Sequence, residues 1–235
     1  MNEARDGILA DIRRALRRGP LDGAAEAALR MRVGGHRRNV IPARAAALDE
    51  PARIDLFVAM AQEAQATVVR VGAADAVPGA VADYLARENL PAECIMAPDP
   101  SLAAIPWATR PLLRIRRSGT PAAEATALTP AFAAIAETGT LMLISSPDTP
   151  TALNFLPDTH VVMLRAEQIV ATYEDGWDRL RELGKELPRA VNFITGPSRT
   201  GDIEQQIVLG MHGPRRLHIV LIEPRPAAGH DQPQR

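Results

Sequence analysis

The chain holds a single cysteine, Cys94. No disulfide can therefore close within it, and it cannot by itself ligate an iron–sulfur cluster, which takes about four thiolates. Lysine is equally scarce: Lys185 is the only one, so the basic charge is almost all arginine and Schiff-base chemistry has no good candidate. The five histidines show neither HxxxH nor HExxH spacing and no cysteine cluster accompanies them, so no dedicated metal site is expected. No run approaches the ~18 uninterrupted apolar residues of a spanning helix, which argues against a membrane span. A net charge of −1 is too even for a general nucleic-acid binder. Glu3, Asp6 and Asp11 stand where a secretory leader needs an apolar stretch, so the expected location is cytoplasmic. Neither an internal repeat nor a low-complexity linker interrupts the chain.

What is present suits a folded domain: 235 residues, 46% hydrophobic and 23% charged. Charge is uneven, with ten arginines against five acids up to Arg44. That bias fits either an acidic partner or a solvated leader. Ile8, Leu9, Ile12 and Leu16 recur at helical spacing, so residues 1–50 read as a helical N-terminal arm. From Pro51 helix and strand patterns alternate. Residues 52–65, 75–89, 172–187 and 202–209 read as helices, and 129–136 as a short helix capped by Thr129 with Pro130 at its first position. Residues 66–71, 93–97, 140–145, 160–164, 190–195 and 217–222 read as strands, with 111–116 an edge strand. Residues 225–235 read as a flexible tail. The alternation predicts an α/β domain over 51–224, a mainly parallel mixed sheet with helices on both faces.

Strand 190–195 is expected to join two right-handed βαβ units, one with strand 160–164 through helix 172–187 and one with strand 217–222 through helix 202–209. If strands 140–145 and 160–164 pair directly they are antiparallel. Glu137–Thr140 then lies beside Gly196–Thr200 at the carboxyl edge of the parallel strands, where open α/β sheets bind ligands, and Ser146–Thr159 lies at the opposite edge. If 140–145 is parallel, these positions swap.

Three segments carry chemistry. Gly196-Pro-Ser-Arg-Thr-Gly-Asp-Ile-Glu204 reads as a strand–turn–helix. Free amides at the helix mouth, with Ser198, Arg199 and Thr200, would hold a carboxylate or phosphate; equally, Ser198 or Thr200 is an ordinary cap and Asp202 serves the dipole. In Glu137-Thr-Gly-Thr140, Gly139 suits a left-handed helix end, and Glu137 in a last helical turn stands against the dipole. Glu137 is thus a candidate nucleophile or general base, with Thr138, Gly139 and Thr140 as ligand contacts; the alternative is a carboxylate bonded to backbone amides or to Arg199. In Gly210-Met-His-Gly-Pro214, His212 and Gly213 suit a structural or interface role better than catalysis. His160 and His218 are read as structural.

Taken together, Ala134-Ile-Ala-Glu-Thr-Gly-Thr-Leu141, Leu156-Pro157 before His160-Val-Val162, Gly196–Thr200 with Asp202-Ile-Glu204, and Gly210–Pro214 resemble the LUD-domain family of lactate utilization proteins. The opening Ile8–Leu16 is also similar, and the likeness is dense over 129–222 and sparse over 20–125. The resemblance implies a fold like the NagB/RpiA/CoA-transferase superfamily. It also implies a part in oxidising L-lactate to pyruvate beside iron–sulfur partner proteins; with no cluster-binding cysteine set and no flavin or nicotinamide fingerprint, no cofactor is expected in this chain. Glu137-Thr-Gly139 is similar to the glutamate–glycine pattern of CoA transferases, so a stand-alone enzyme acting on an acyl-CoA or phosphorylated substrate is the alternative. Self-association is left open.

Overall fold

The computed structural model describes residues 2–38, 41–45, 47–117, 125–184, 186–203 and 206–223. The expected tail at 225–235 lies outside them. The chain divides into two compact units, Met1–Val40 and Ile41–Arg235. The first holds helices α1 (Asn2–Ala15) and α2 (Gly23–Gly35). Asp22 starts α2 by accepting the Ala25 amide at 2.7 Å, as an N-cap does.

The second unit opens with α3 (Glu50–Glu63), capped by Asp49 on the Ala52 amide with Pro51 in its first turn. Strand β1 (Thr67–Val71), α4 (Val77–Arg87), β2 (Glu93–Met96), the single-turn α5 (Pro100–Ala103) and β3 (Arg114–Arg116) follow. Next come β4 (Thr126–Pro130), β5 (Ala133–Ile135), β6 (Thr140–Ile144), the single-turn α6 (Ala152–Phe155) and β7 (Thr159–Arg165). The remainder is β8 (Ile169–Val170), α7 (Tyr173–Glu182), β9 (Val191–Ile194), β10 (Arg199–Ile203), β11 (Gln206–Leu209) and β12 (Arg216–Ile222).

Six strands make an all-parallel sheet in the order β1-β12-β7-β4-β2-β3. Its central strands are apolar on both faces, and alternate residues belong to different cores. Val161, Met163, Val220 and Ile222 pack with Val81, Leu85 and Leu102 from α4 and α5. Val162, Leu164, Ile219 and Leu221 pack with Phe57 and Ala61 of α3 and with Leu141 and Leu143 of β6. The mixed α/β class is therefore as expected, and β3 is the edge strand foreseen for 111–116.

The second face is covered by α3 and by a second sheet, ordered β8-β5-β6-β9. Here the structure corrects the expected connections. Residues 129–136 form no helix: β4 ends at Pro130, the chain crosses between sheets, and β5 follows. Burial of Ala127, Leu128, Ala133 and Ala134 decides for strand over alanine's helical preference. β6 does not pair with β7 but runs antiparallel to both β5 and β9. β9 is thus outside the parallel sheet, and neither expected βαβ unit forms. Residues 202–209 are not helical either. β10 and β11 make an antiparallel hairpin, consistent with the β-branched run Ile207-Val208 and the flanking glycines.

Gln168 ties the two crossings together. Its Oε1 accepts the Arg165 amide where β7 ends, and its Nε2 donates to the Ala131 carbonyl where β4 ends, both at 2.7 Å. α7 covers the outer side of the second sheet through Leu180 and Trp177, which meets Phe193 edge-on at 5.5 Å.

Gly139 adopts the left-handed conformation expected of it (φ 65°), but at the β5–β6 hairpin turn and not at a helix end. A Cβ there would lie 2.2 Å from the Ala61 nitrogen of α3, whereas one on Gly184, also left-handed at φ 59°, meets open space. Gly139→Ala is expected to cost about 3 kcal/mol or more in urea unfolding, and Gly184→Ala about 1–2 kcal/mol. Equal losses for the two would contradict this packing.

Candidate functional site

The β5–β6 turn sets Glu137 against the start of α7. The Glu137 amide donates to the Ala171 carbonyl at 3.1 Å, and its Oε1 accepts the Tyr173 amide at 3.1 Å. Thr172 and Asp175 form the reciprocal cap of the same helix, so Glu137 adds a third acceptor at its positive end. The supposed clash with a dipole is reversed: no helix precedes Glu137, and the one it faces favours its charge. Only 5% of the residue is exposed, and its Oε2 is buried without a hydrogen-bond partner. Arg199 is not its partner; that guanidinium donates to the Ala64 carbonyl at 3.0 Å.

Beside Glu137 four hydroxyls meet. Thr140 Oγ1 lies 2.6 Å from Thr195 Oγ1, 2.7 Å from Thr138 Oγ1 and 3.0 Å from the Tyr173 hydroxyl. Glu137–Thr140 and the segment after β9 are thus neighbours, as expected, though through the antiparallel β6–β9 ladder, in which Leu141 faces Ile194. Sequence reasoning did not single out Tyr173 or Thr195.

After β9 the chain turns at Gly196 (φ 70°), where a Cβ would lie 2.0 Å from the Ala64 carbonyl oxygen. Beyond it lies no helix mouth. The Ser198 amide donates to the Pro214 carbonyl at 2.8 Å, its carbonyl accepts from Gly210, and its Oγ accepts the His212 amide at 3.3 Å. Ser198 therefore stitches two turns together, and its amide is not free for an anion. Thr200 and Asp202 sit in β10, so neither caps a helix.

Beside these turns lies an open cavity of about 270 Å³, lined by Asn154, His160, Phe193, Thr195, Ser198 and Arg199 among others, with His212 and Gly213 next to Ser198. It lies at the amino edge of the parallel sheet, because His160 and Leu217 are the second residues of β7 and β12. The expected carboxyl-edge position is corrected. The segment Ser146–Thr159 is not confined to one edge either: Asn154 and Phe155 line this cavity, whereas Ser146 and Thr149 line another. His212 and Gly213, assigned to structure or interface, are cavity residues.

Two residues of the wall are buried and polar. Asn154 makes no side-chain hydrogen bond among the described residues, and only 4% of it is exposed. His160 Nε2 lies 2.7 Å from Thr129 Oγ1, and its Nδ1 is buried without a partner. Burial pushes the His160 imidazole down to about 3, so it is neutral at ordinary pH. The larger cavity, about 620 Å³, occupies the carboxyl edge between Asp99, Arg165, Arg179 and Glu182. None of the residues singled out from sequence lines it. Among the described residues no three His, Cys, Asp or Glu side chains gather to hold a metal, and no helix is long and apolar enough to cross a membrane.

His218 shares the behaviour of His160. Its Nδ1 lies 2.7 Å from Thr67 Oγ1, its ring stacks on Tyr84 at 3.8 Å, and burial, helped by the Arg87 charge, lowers it to about 3. Both folded values lie below the unfolded value near 6.5, so the unfolded chain binds more protons between these limits and stability falls as pH drops from about 6.5 toward 3. A melting-temperature series over that range is expected to slope steadily downward, and His218→Gln to reduce the slope. A flat profile to pH 4 would contradict neutral burial.

The sequence model of the LUD domain matches residues 54–222. Lactate utilization protein C of Anoxybacillus flavithermus is 37% identical over 91 residues, 39% of this chain and 40% of that protein. The protein of the same name from Deinococcus radiodurans is 38% identical over 96 residues, 40% of this chain and 45% of its own. The aligned stretch thus spans less than half the length of these curated relatives. The crystal structure of a DUF162 family protein from Deinococcus radiodurans, at 27% identity, superposes with a TM-score of 0.57 over 75% of this chain and 99% of that one.

Proposed function

Because the chain belongs to the LUD-domain family, we propose that it is a lactate utilization protein and the non-redox component of an iron–sulfur-dependent system that oxidises L-lactate to pyruvate. The observation that carries this reading is the LUD match over 54–222 in a chain with one cysteine. Cys94 is buried, and desolvation, reinforced by the Glu93 charge, raises its thiol to about 12, so it offers no thiolate at neutral pH. Oxidising the alcohol carbon of lactate releases two electrons and two protons. Clusters on partner proteins would supply the acceptor for those electrons, and this chain presents the small carboxylate at the cavity beside Gly196–Arg199. The arginine-rich arm provides a docking element for the partners.

The test is reconstitution. The full chain alone is expected to show no lactate-dependent reduction of an artificial acceptor, and turnover is expected to appear when iron–sulfur partner proteins are added. Lactate-to-pyruvate electron transfer by the chain alone would overturn the assignment, as would a system whose turnover is the same without it.

The unpartnered Oε2 of Glu137 favours a second reading, that of an enzyme using Glu137 as nucleophile or base. On that reading Glu137→Gln abolishes turnover on an acyl-CoA or sugar phosphate while the melting temperature stays within a few degrees. Unchanged turnover would remove it. Against it, Glu137 lines neither of the two cavities at the sheet edges.

A further inference from the structure

The two cavities differ in the charges they present. The carboxyl-edge cavity mixes Arg165 and Arg179 with Asp99 and Glu182. Among the described residues, the amino-edge cavity is lined by one guanidinium, Arg199, two imidazoles, His160 and His212, and no carboxylate. Arg199 is exposed and gives one of its five donors to the Ala64 carbonyl, which fixes the guanidinium at the cavity and leaves the others for a ligand. The walls between are apolar, from Phe155, Phe193, Pro214 and Leu217.

The deep end is of another kind. His160 and Asn154 are more than nine-tenths buried, Nδ1 of His160 has no partner, and the Asn154 amide makes no hydrogen bond among the described residues. Buried polar groups in folded proteins are rarely left unpaired, because each costs about 1–3 kcal/mol. The orphaned Nδ1 of His160, in a wall that also holds the Asn154 amide, points to a polar group supplied from outside. A neutral imidazole and a carboxamide form no ion pair, so they match an uncharged oxygen better than a second charge. The volume, about 270 Å³, accommodates a three- to five-carbon acid.

We propose that this cavity binds a short 2-hydroxy or 2-oxo carboxylate, its carboxylate on Arg199 at the rim and its 2-oxygen on Asn154 and His160 inside. The proposal deepens the lactate utilization reading and rests on it for the choice of acid. The oxygen on the second carbon is then the feature read by the protein, and Asn154 and His160 determine specificity while Arg199 supplies affinity. His160 is held for this role through Thr129 on the neighbouring strand.

Calorimetric titration of the full chain with L-lactate, pyruvate and propionate tests the proposal without any partner protein. Lactate or pyruvate is expected to bind about tenfold or more tightly than propionate, which lacks the 2-oxygen, since a site built to bond an oxygen rejects the analogue without it. Arg199→Met, at an exposed position, is expected to weaken binding of lactate and propionate alike by about tenfold or more. Asn154→Leu is expected to bring the two acids within about threefold of each other. His160→Phe provides the same comparison should Asn154→Leu fail to fold, as judged by its melting curve. Equal affinity for lactate and propionate would overturn the proposal, as would an unchanged ratio in a folded Asn154 or His160 variant. Absence of any acid binding would overturn it too, and would leave the proposed role beside iron–sulfur partners to be decided separately by reconstitution.

Discussion

The end of α3 presses on two turns of the second sheet, and the arrangement of the site follows from that contact. A side chain at Gly139 would strike the Ala61 backbone, and one at Gly196 would strike the Ala64 carbonyl. Both glycines are left-handed, so they supply a turn conformation and a close approach together. The same Ala64 carbonyl accepts from Arg199, so a single backbone group fixes both the turn after β9 and the guanidinium at the cavity rim. With the ends of β6 and β9 held there, Thr140 and Thr195 come within 2.6 Å and Glu137 is set at the first turn of α7.

Two electrostatic environments result from one local fold. The Glu137 carboxyl group is buried at the positive end of a helix, with one oxygen bonded and one not. Among the described residues, the amino-edge cavity is lined by cationic and neutral side chains only. An acid in the cavity wall would offset the pull of Arg199 on the anion proposed to bind there. Ser198 adds rigidity instead of binding: its amide, carbonyl and hydroxyl each hold the 210–214 segment in place. The motifs that look like an anion nest in sequence therefore build the frame of the cavity.

Much of the fold was legible because the parallel strands are long, apolar and β-branched, as in His160–Leu164 and Leu217–Ile222. What failed was local pattern overruled by tertiary context. Residues 129–136 are rich in alanine and follow a good cap, yet small residues are what the crowded crossing between two sheets requires. Residues 202–209 have apolar positions that fit a helix or a hairpin equally, and pairing of Arg199 with Leu209 decides for the hairpin. The site was half legible. The proximity of Glu137–Thr140 to the segment after β9 was foreseen, although by a different topology. Asn154 was invisible because an asparagine in a long loop carries no signal of burial, and His160 was read as structural because an unpaired ring nitrogen shows only in three dimensions. His212 was assigned away from ligand because the expected helix would have carried it elsewhere.

The central claim is that the small cavity at the amino edge, and not the larger one at the carboxyl edge, is where this protein meets its acid. The most direct measurement is a crystal structure of the full chain soaked with pyruvate. The account predicts density in the small cavity, with a carboxylate within hydrogen-bond reach of Arg199 and the keto oxygen toward Asn154 and His160. Density confined to the cavity between Arg165 and Arg179, with the small cavity empty, would contradict it.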